Sequence, residues 1–208
     1  MKGHIDVTGF GTASAPSDVV LLDLRVQCDA PDVSSALQDA SARMAGVQEA
    51  VRTHGVAPAD VRTTGSGVHQ RWAEGRPDVV GYTAFQSLQV RVRDVRAVGA
   101  IVGSVASAAG NSLGIDGITL AIGDPEPVAR AARDAAFADA RGKAEQYAAL
   151  AGRALGRVVR LSDVPVVVAG PMPRMMRAGA PAELAVEPGE QAVTAQVTVR
   201  WAWADADR

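Results

Sequence analysis

Residues 130–156, "RAARDAAFADARGKAEQYAALAGRALG", carry the longest helical signal in the chain, yet eleven of these 27 residues are alanine. Only Phe137 and Tyr147 supply aromatic rings. A helix with so little side chain gains its packing energy from many short contacts, so its axis must approach a sheet or another helix closely. At 100° per residue, Val128, Ala131, Ala132, Ala135, Ala138, Gly142 and Ala149 are expected on one face. The charges of Arg130, Arg133, Asp134, Arg141 and Glu145 fall mostly opposite. Upstream, Asp124 is expected to cap the helix, with Pro125 at its first position and Glu126 at the positive end of the dipole.

The remaining segments alternate strand pairs with single helices. "IDVTGFGTASAPSDVVLLDLRVQC" reads as two strands around a turn, the second burying Val20, Leu22, Leu24, Val26 and Cys28. Val33, Leu37, Ala40, Met44, Val47 and Val51 then form one helical stripe, closed by Gly55 as a left-handed cap. A long hairpin is expected over 60–93, with Tyr82, Ala84, Leu88, Val90 and Val92 on one side. Asp94 suits the N-cap of a second helix carrying Val95, Val98, Val102 and Val105 and ending at Gly110. A strand through Ile118, Leu120 and Ile122 precedes the alanine helix, and a short strand near "RVVRL" follows it. Residues 165–189, rich in Pro, Ala, Gly and Met, read as a long loop. The last strand buries Val193, Ala195, Val197, Val199, Trp201 and Trp203. The order is ββαββαβαββ, which predicts an α+β fold of largely antiparallel sheets packed with three helices. The 208 residues suit a single domain, or two intertwined subdomains of roughly 1–93 and 94–208.

Few residues assemble into recognisable chemistry. "GFGTAS" lacks the helix that a phosphate-cradling loop needs directly after it, so a tight turn is expected there. Gly142-Lys143 has neither the upstream glycine nor the following Ser/Thr of a Walker motif. His4, His54 and His69 fall on three separate elements, with no Cys or carboxylate at ligand spacing; His54 suits a helix C-terminus. Cys28 falls on an apolar strand face and reads as an inert buried thiol. Arg91 and Arg93 share a strand face near Arg96, with Arg71 and Arg76 across the hairpin, but a solvated face is the default for such charges. No stacking aromatics lie nearby, and a formal net charge of −2 gives no pull toward nucleic acid. No catalytic residue, cofactor or metal is expected. No apolar run is long enough to span a bilayer. The start, "MKGHIDVTGFG", shows no apolar export-signal core, so a cytoplasmic location is expected; the single cysteine agrees with a reducing compartment.

Two features point toward other surfaces. Asp139 and Lys143, four apart beside the small-residue face, read as a structural ion pair or as a polar contact between subunits. Met172, Met175 and Met176 lie in the long loop, and flexible apolar methionines suit an adaptable contact surface. They are candidates for a subunit interface.

Several stretches together are similar to the SIMPL-domain family: "VTGFGTASAPSD", "GVAPADVRTTG", "GYTAFQSLQVRVRD", "GNSLGIDGITLAI", "DAAFADARGKAEQYAALAGRALG" and "VEPGEQAVTAQVTVRW". They occur in the family's order across nearly the whole chain. The resemblance implies an α+β fold that self-associates, in some members into ring-like assemblies, with links to stress tolerance and no established catalytic residues. Asp139 and Lys143 match the third-helix motif, and Gly81 and Tyr82 the hairpin motif, both in architectural roles. The expectation is therefore a non-enzymatic homo-oligomeric scaffold or adaptor. The alternative is a small-ligand-binding protein or enzyme with a cleft between the hairpin 60–93 and the helix 125–154.

Overall fold

The alanine helix and its neighbours show how the chain is organised. The computed structural model describes residues 3–73, 75, 77–168 and 189–204. The strands are β1 (His4–Pro16), β2 (Val19–Ala30), β3 (Val61–Trp72), β4 (Val79–Val92), β5 (Leu113–Ala121), β6 (Leu155–Val168) and β7 (Glu190–Trp203). The helices are α1 (Val33–Thr53), α2 (Val98–Ala109) and α3 (Glu126–Leu150). The element order is the one expected, and every strand pair is antiparallel. The described chain separates into two compact units, with crossings between described residues at 16/17, 123/124 and 189/190.

One unit holds α3 and a three-stranded sheet in the order β1-β7-β6. Gln191, Val193, Ala195, Val197, Val199 and Trp201 of β7 alternate inward and are buried. Trp201 meets Phe137 of α3 with ring centroids 6.2 Å apart. On β1 the inward positions include Val7, Gly9 and Gly11. A Cβ on Gly9 would fall within the carbonyl oxygen of Ala136 and 2.5 Å from the amide nitrogen of Ala140; on Gly11 it would collide with the backbone of Ala132 and Ala136. Two glycines below and a row of alanines above thus let helix backbone rest almost on strand backbone.

The alanine row differs from the expected face. The buried positions are Ala129, Ala132, Ala136, Ala140, Ala144 and Ala148, so of the seven expected only Ala132 is buried. From Ala132 to Ala148 they follow an i+4 ridge, which runs inclined to the helix axis and suits a helix crossing a twisted sheet. Alanines occur on every side of this helix, so composition alone does not mark the contacting side. The "GFG" segment differs too, since Gly9 and Gly11 lie inside a continuous strand and not in a turn. At the helix start, Pro125 occupies the cap position and Asp124 Oδ1 accepts from the Glu126 amide (3.1 Å). β6 runs to Val168, so the first four residues of the stretch read as loop are strand. Met172, Met175 and Met176 lie outside the described residues.

The second unit holds the sheet β3-β4-β2-β5 with α1 and α2 on one face. Val20, Leu22, Leu24, Val26, Leu88, Val90 and Val92 form its strand layer, and Ala36, Ala40, Met44, Val47, Val51, Val98, Ile101 and Val105 its helix layer. The α1 stripe therefore starts at Ala36; Val33 and Leu37 are exposed, because the small Ala36 and Ala40 occupy the close contact. Gly55 takes the left-handed cap (φ 79°) after α1, and Gly110 ends α2 at φ 56°, as expected. Asp94 caps a short 3-10 turn, Val95–Ala97, that leads into α2.

Candidate functional site

A sheet ends in two edges, and unpaired edge backbone must be protected or used. In the β1-β7-β6 sheet the edges are β1 and β6, and the chain treats them differently.

On β1, α3 supplies the protection. Asp139 Oδ2 accepts the main-chain N–H of Phe10 (2.9 Å) and the ammonium of Lys143 (2.6 Å). Lys143 also donates to the carbonyl of Thr8 (3.4 Å) and lies 5.3 Å from the Phe10 ring centroid. The carbonyl of residue i and the amide of residue i+2 point the same way along a strand. The ion pair therefore engages two neighbouring outward groups as a partner strand would. The hydrogen bond from Lys143, followed by that from the Phe10 amide, holds the Asp139 carboxyl below its ordinary value. The structure brings Asp139 and Lys143 together, and their partner is this chain's own β1.

β6 is treated otherwise. Among the described residues no strand pairs with its outer side, and α3 lies mainly over β1 and β7. Val158, Val159, Leu161 and Val164 are 41–54 % exposed, so both faces of this edge strand present apolar side chains. A hollow of about 240 Å³ runs beside it, lined by Phe137, Leu161, Ala195 and Val197 with Arg133 and Asp163. Sequence reading missed this surface. The visible signal was the adjacent apolar residues of "VVRL", which alternate poorly for a strand with one wet face.

The other singled-out residues have local roles. His4 Nε2 lies 3.7 Å from Asp6 Oδ2. His54 is the C-cap of α1 and its Nε2 is 2.7 Å from Ser104 Oγ. The His69 ring lies 6.3 Å from that of Phe85. Among the described residues no three His, Cys, Asp or Glu side chains converge as metal ligands. Cys28 is buried on the apolar face, with Sγ 3.7 Å from Ser112 Oγ. Arg93 forms a bidentate pair with Asp60 (2.7 and 2.8 Å), which lowers the Asp60 carboxyl's pKa. Arg96 pairs with Asp94, and Arg71 with Asp29. Arg91 donates to the carbonyl of Gly123 (3.4 Å) and Arg76 lies outside the described residues, so Arg71, Arg93 and Arg96 are the arginines of this group with a carboxylate partner among the described residues. The hairpin 60–93 belongs to one unit and the helix 125–154 to the other. No helix among the described residues is long and apolar enough to cross a membrane.

Comparison with known proteins supplies the remaining context. The 26 kDa periplasmic immunogenic protein of Brucella melitensis biotype 1 is 30% identical, covering 94% of this chain and 83% of its own length. The uncharacterized protein YggE of Escherichia coli strain K12 is 26% identical, over 91% of this chain and 77% of its own. The Brucella protein's name places it in the periplasm, which overturns the cytoplasmic expectation. That expectation rested on the residues at the start of the sequence, and these do not determine where the protein acts. The SIMPL family model, described as a protein of unknown function (DUF541), matches residues 5–201. The chain belongs to the SIMPL family.

Proposed function

We propose that this protein is a periplasmic, non-enzymatic scaffold that works by associating with copies of itself through the exposed β6 edge. One observation carries the reading: β1 and β6 bound the same sheet, yet among the described residues only β1 has its outward backbone engaged by helix side chains. An edge strand without a partner templates pairing with another chain, and in β6 the regular stretch between its register shifts is Arg160–Val164. An edge whose two faces also expose Val158, Val159, Leu161 and Val164 favours a partner that covers it permanently. Asp139 and Lys143, expected at the sequence level as candidates for subunit contact, enter this proposal as guards of the opposite edge. Met172, Met175 and Met176 lie outside the described residues and contribute by chemistry alone, as adaptable apolar contacts beside the same sheet in sequence. The periplasmic name of the Brucella relative supports the location.

Size-exclusion chromatography coupled to light scattering tests the reading. It predicts an assembly with a mass that is a whole multiple of 21.4 kDa at micromolar concentration. Deleting residues 170–180 is expected to weaken the assembly; an unchanged particle would remove the methionines from the proposal.

A further inference from the structure

The second unit contains a polar cleft of about 490 Å³ where β5 leaves the sheet, within the roughly 300–1,000 Å³ range of small-molecule sites. β2 and β5 pair as far as Val26 opposite Leu113. β2 continues to Ala30, so beyond Val26 no strand flanks it on that side. The Asp18 amide donates to Ala121 of β5, and the pairing of β2 with β4 runs without a break. Strand alternation therefore turns the main-chain N–H and C=O of Cys28 toward the same open edge. One rung of β2 forms the floor of the cleft.

The walls carry charge of both signs. Asp39 and Arg43 sit four apart on α1 and both line the cleft. They do not pair with one another. Arg43 Nη1 donates to the carbonyl of Ala109 (3.3 Å), and among the described residues no carboxylate lies within ion-pairing distance of it. Arg25 and Asp116, 2.8 Å apart, also line the cleft, with Gln27, Asn111 and Ser112. An open strand rung takes a peptide group by adding to the sheet. An unpaired guanidinium takes a carboxylate, and an uncommitted carboxylate takes an ammonium.

We infer that this cleft binds a short zwitterionic peptide, a di- or tripeptide with free termini. Its peptide group makes one hydrogen bond to the Cys28 rung, its C-terminal carboxylate meets Arg43 and its ammonium meets Asp39. The site lies within one unit and is independent of self-association through β6.

Isothermal titration of the full-length protein with alanyl-alanine tests this, with the acetylated and amidated form of the same dipeptide as control. The expected result is saturable one-to-one binding of the zwitterion. Arg43→Gln and Asp39→Asn should each weaken it about tenfold, and the capped peptide should not bind. Both substitutions lie on the exposed side of α1, so an unchanged circular-dichroism melt confirms that the fold is kept. No saturable binding at millimolar peptide, equal binding of the capped form, or affinity unchanged in both variants would each overturn the assignment.

Discussion

At the scale of single residues, the helix–sheet contact rests on atoms that are absent. Gly9 and Gly11 leave no room for a Cβ beneath α3. Gly9→Ala is therefore expected to force α3 off the sheet and to cost about 3 kcal/mol, the upper end for an overpacked core. This corresponds to a drop in melting temperature of roughly 6–12 °C in a chain of this size. Gly142 offers the internal control. It lies within α3, and a Cβ there meets nothing within 4 Å. Gly142→Ala should raise stability by about 0.8–1 kcal/mol, the propensity difference in a helix interior. Thermal melts of the two variants separate steric from propensity effects. Asp139 gives a prediction in pH. Its carboxyl is held below the ordinary value, first by Lys143 and then by the Phe10 amide. A lowered folded-state pKa contributes stability above the unfolded value and loses it as pH falls through the folded one. The melting-temperature gap between wild type and Asp139→Asn should be full at neutral pH and shrink below about pH 4. A gap that persists unchanged in acid contradicts the charge-based account.

At the scale of elements, strands and helices were legible because their apolar residues alternate or recur at helical spacing. β2, β4 and β7 bury most of the faces that alternation marks, from Val20 to Cys28 and from Val193 to Trp201, while Tyr82 and Trp203, expected on those faces, are only half-buried. α3 was legible as a helix but not in its orientation. Its alanines surround the axis, and the side that contacts the sheet is selected by Gly9 and Gly11, more than a hundred residues upstream. The Asp139–Lys143 pair was legible as a pair, since i and i+4 share a helix face. Its target was not, because the spacing says nothing about an edge strand at Thr8 and Phe10. That β6 has no partner strand on its outer side among the described residues, and that β2 outruns β5 at Cys28, are both consequences of sheet order and strand length, which arise only on folding. The edge guard has its own test. In Asp139→Ala the Phe10 amide loses its acceptor, and its hydrogen exchange should quicken about tenfold while the amides of β7 stay protected. Equal exchange in wild type and variant would show that the side chain does not shield the strand.

At the scale of the whole molecule, the chain starts one unit with β1, lays down the strands and helices of the other from β2 to β5, and adds α3, β6 and β7 to the first. Its polar pairs brace edges, as at Asp139–Lys143, or tie strands, as at Asp6–Arg200 (2.7 and 2.8 Å). We propose that surface shape is what this protein supplies, with β6 as the surface other copies cover. Sedimentation velocity of the wild type beside Leu161→Lys, a charge placed in the middle of that strand, tests it most directly. The account predicts a wild-type assembly of several 21.4 kDa chains at micromolar concentration, and a monomeric but fully folded Leu161→Lys. A wild type that sediments as a single 21.4 kDa species, or an assembly indifferent to Leu161→Lys, would contradict it.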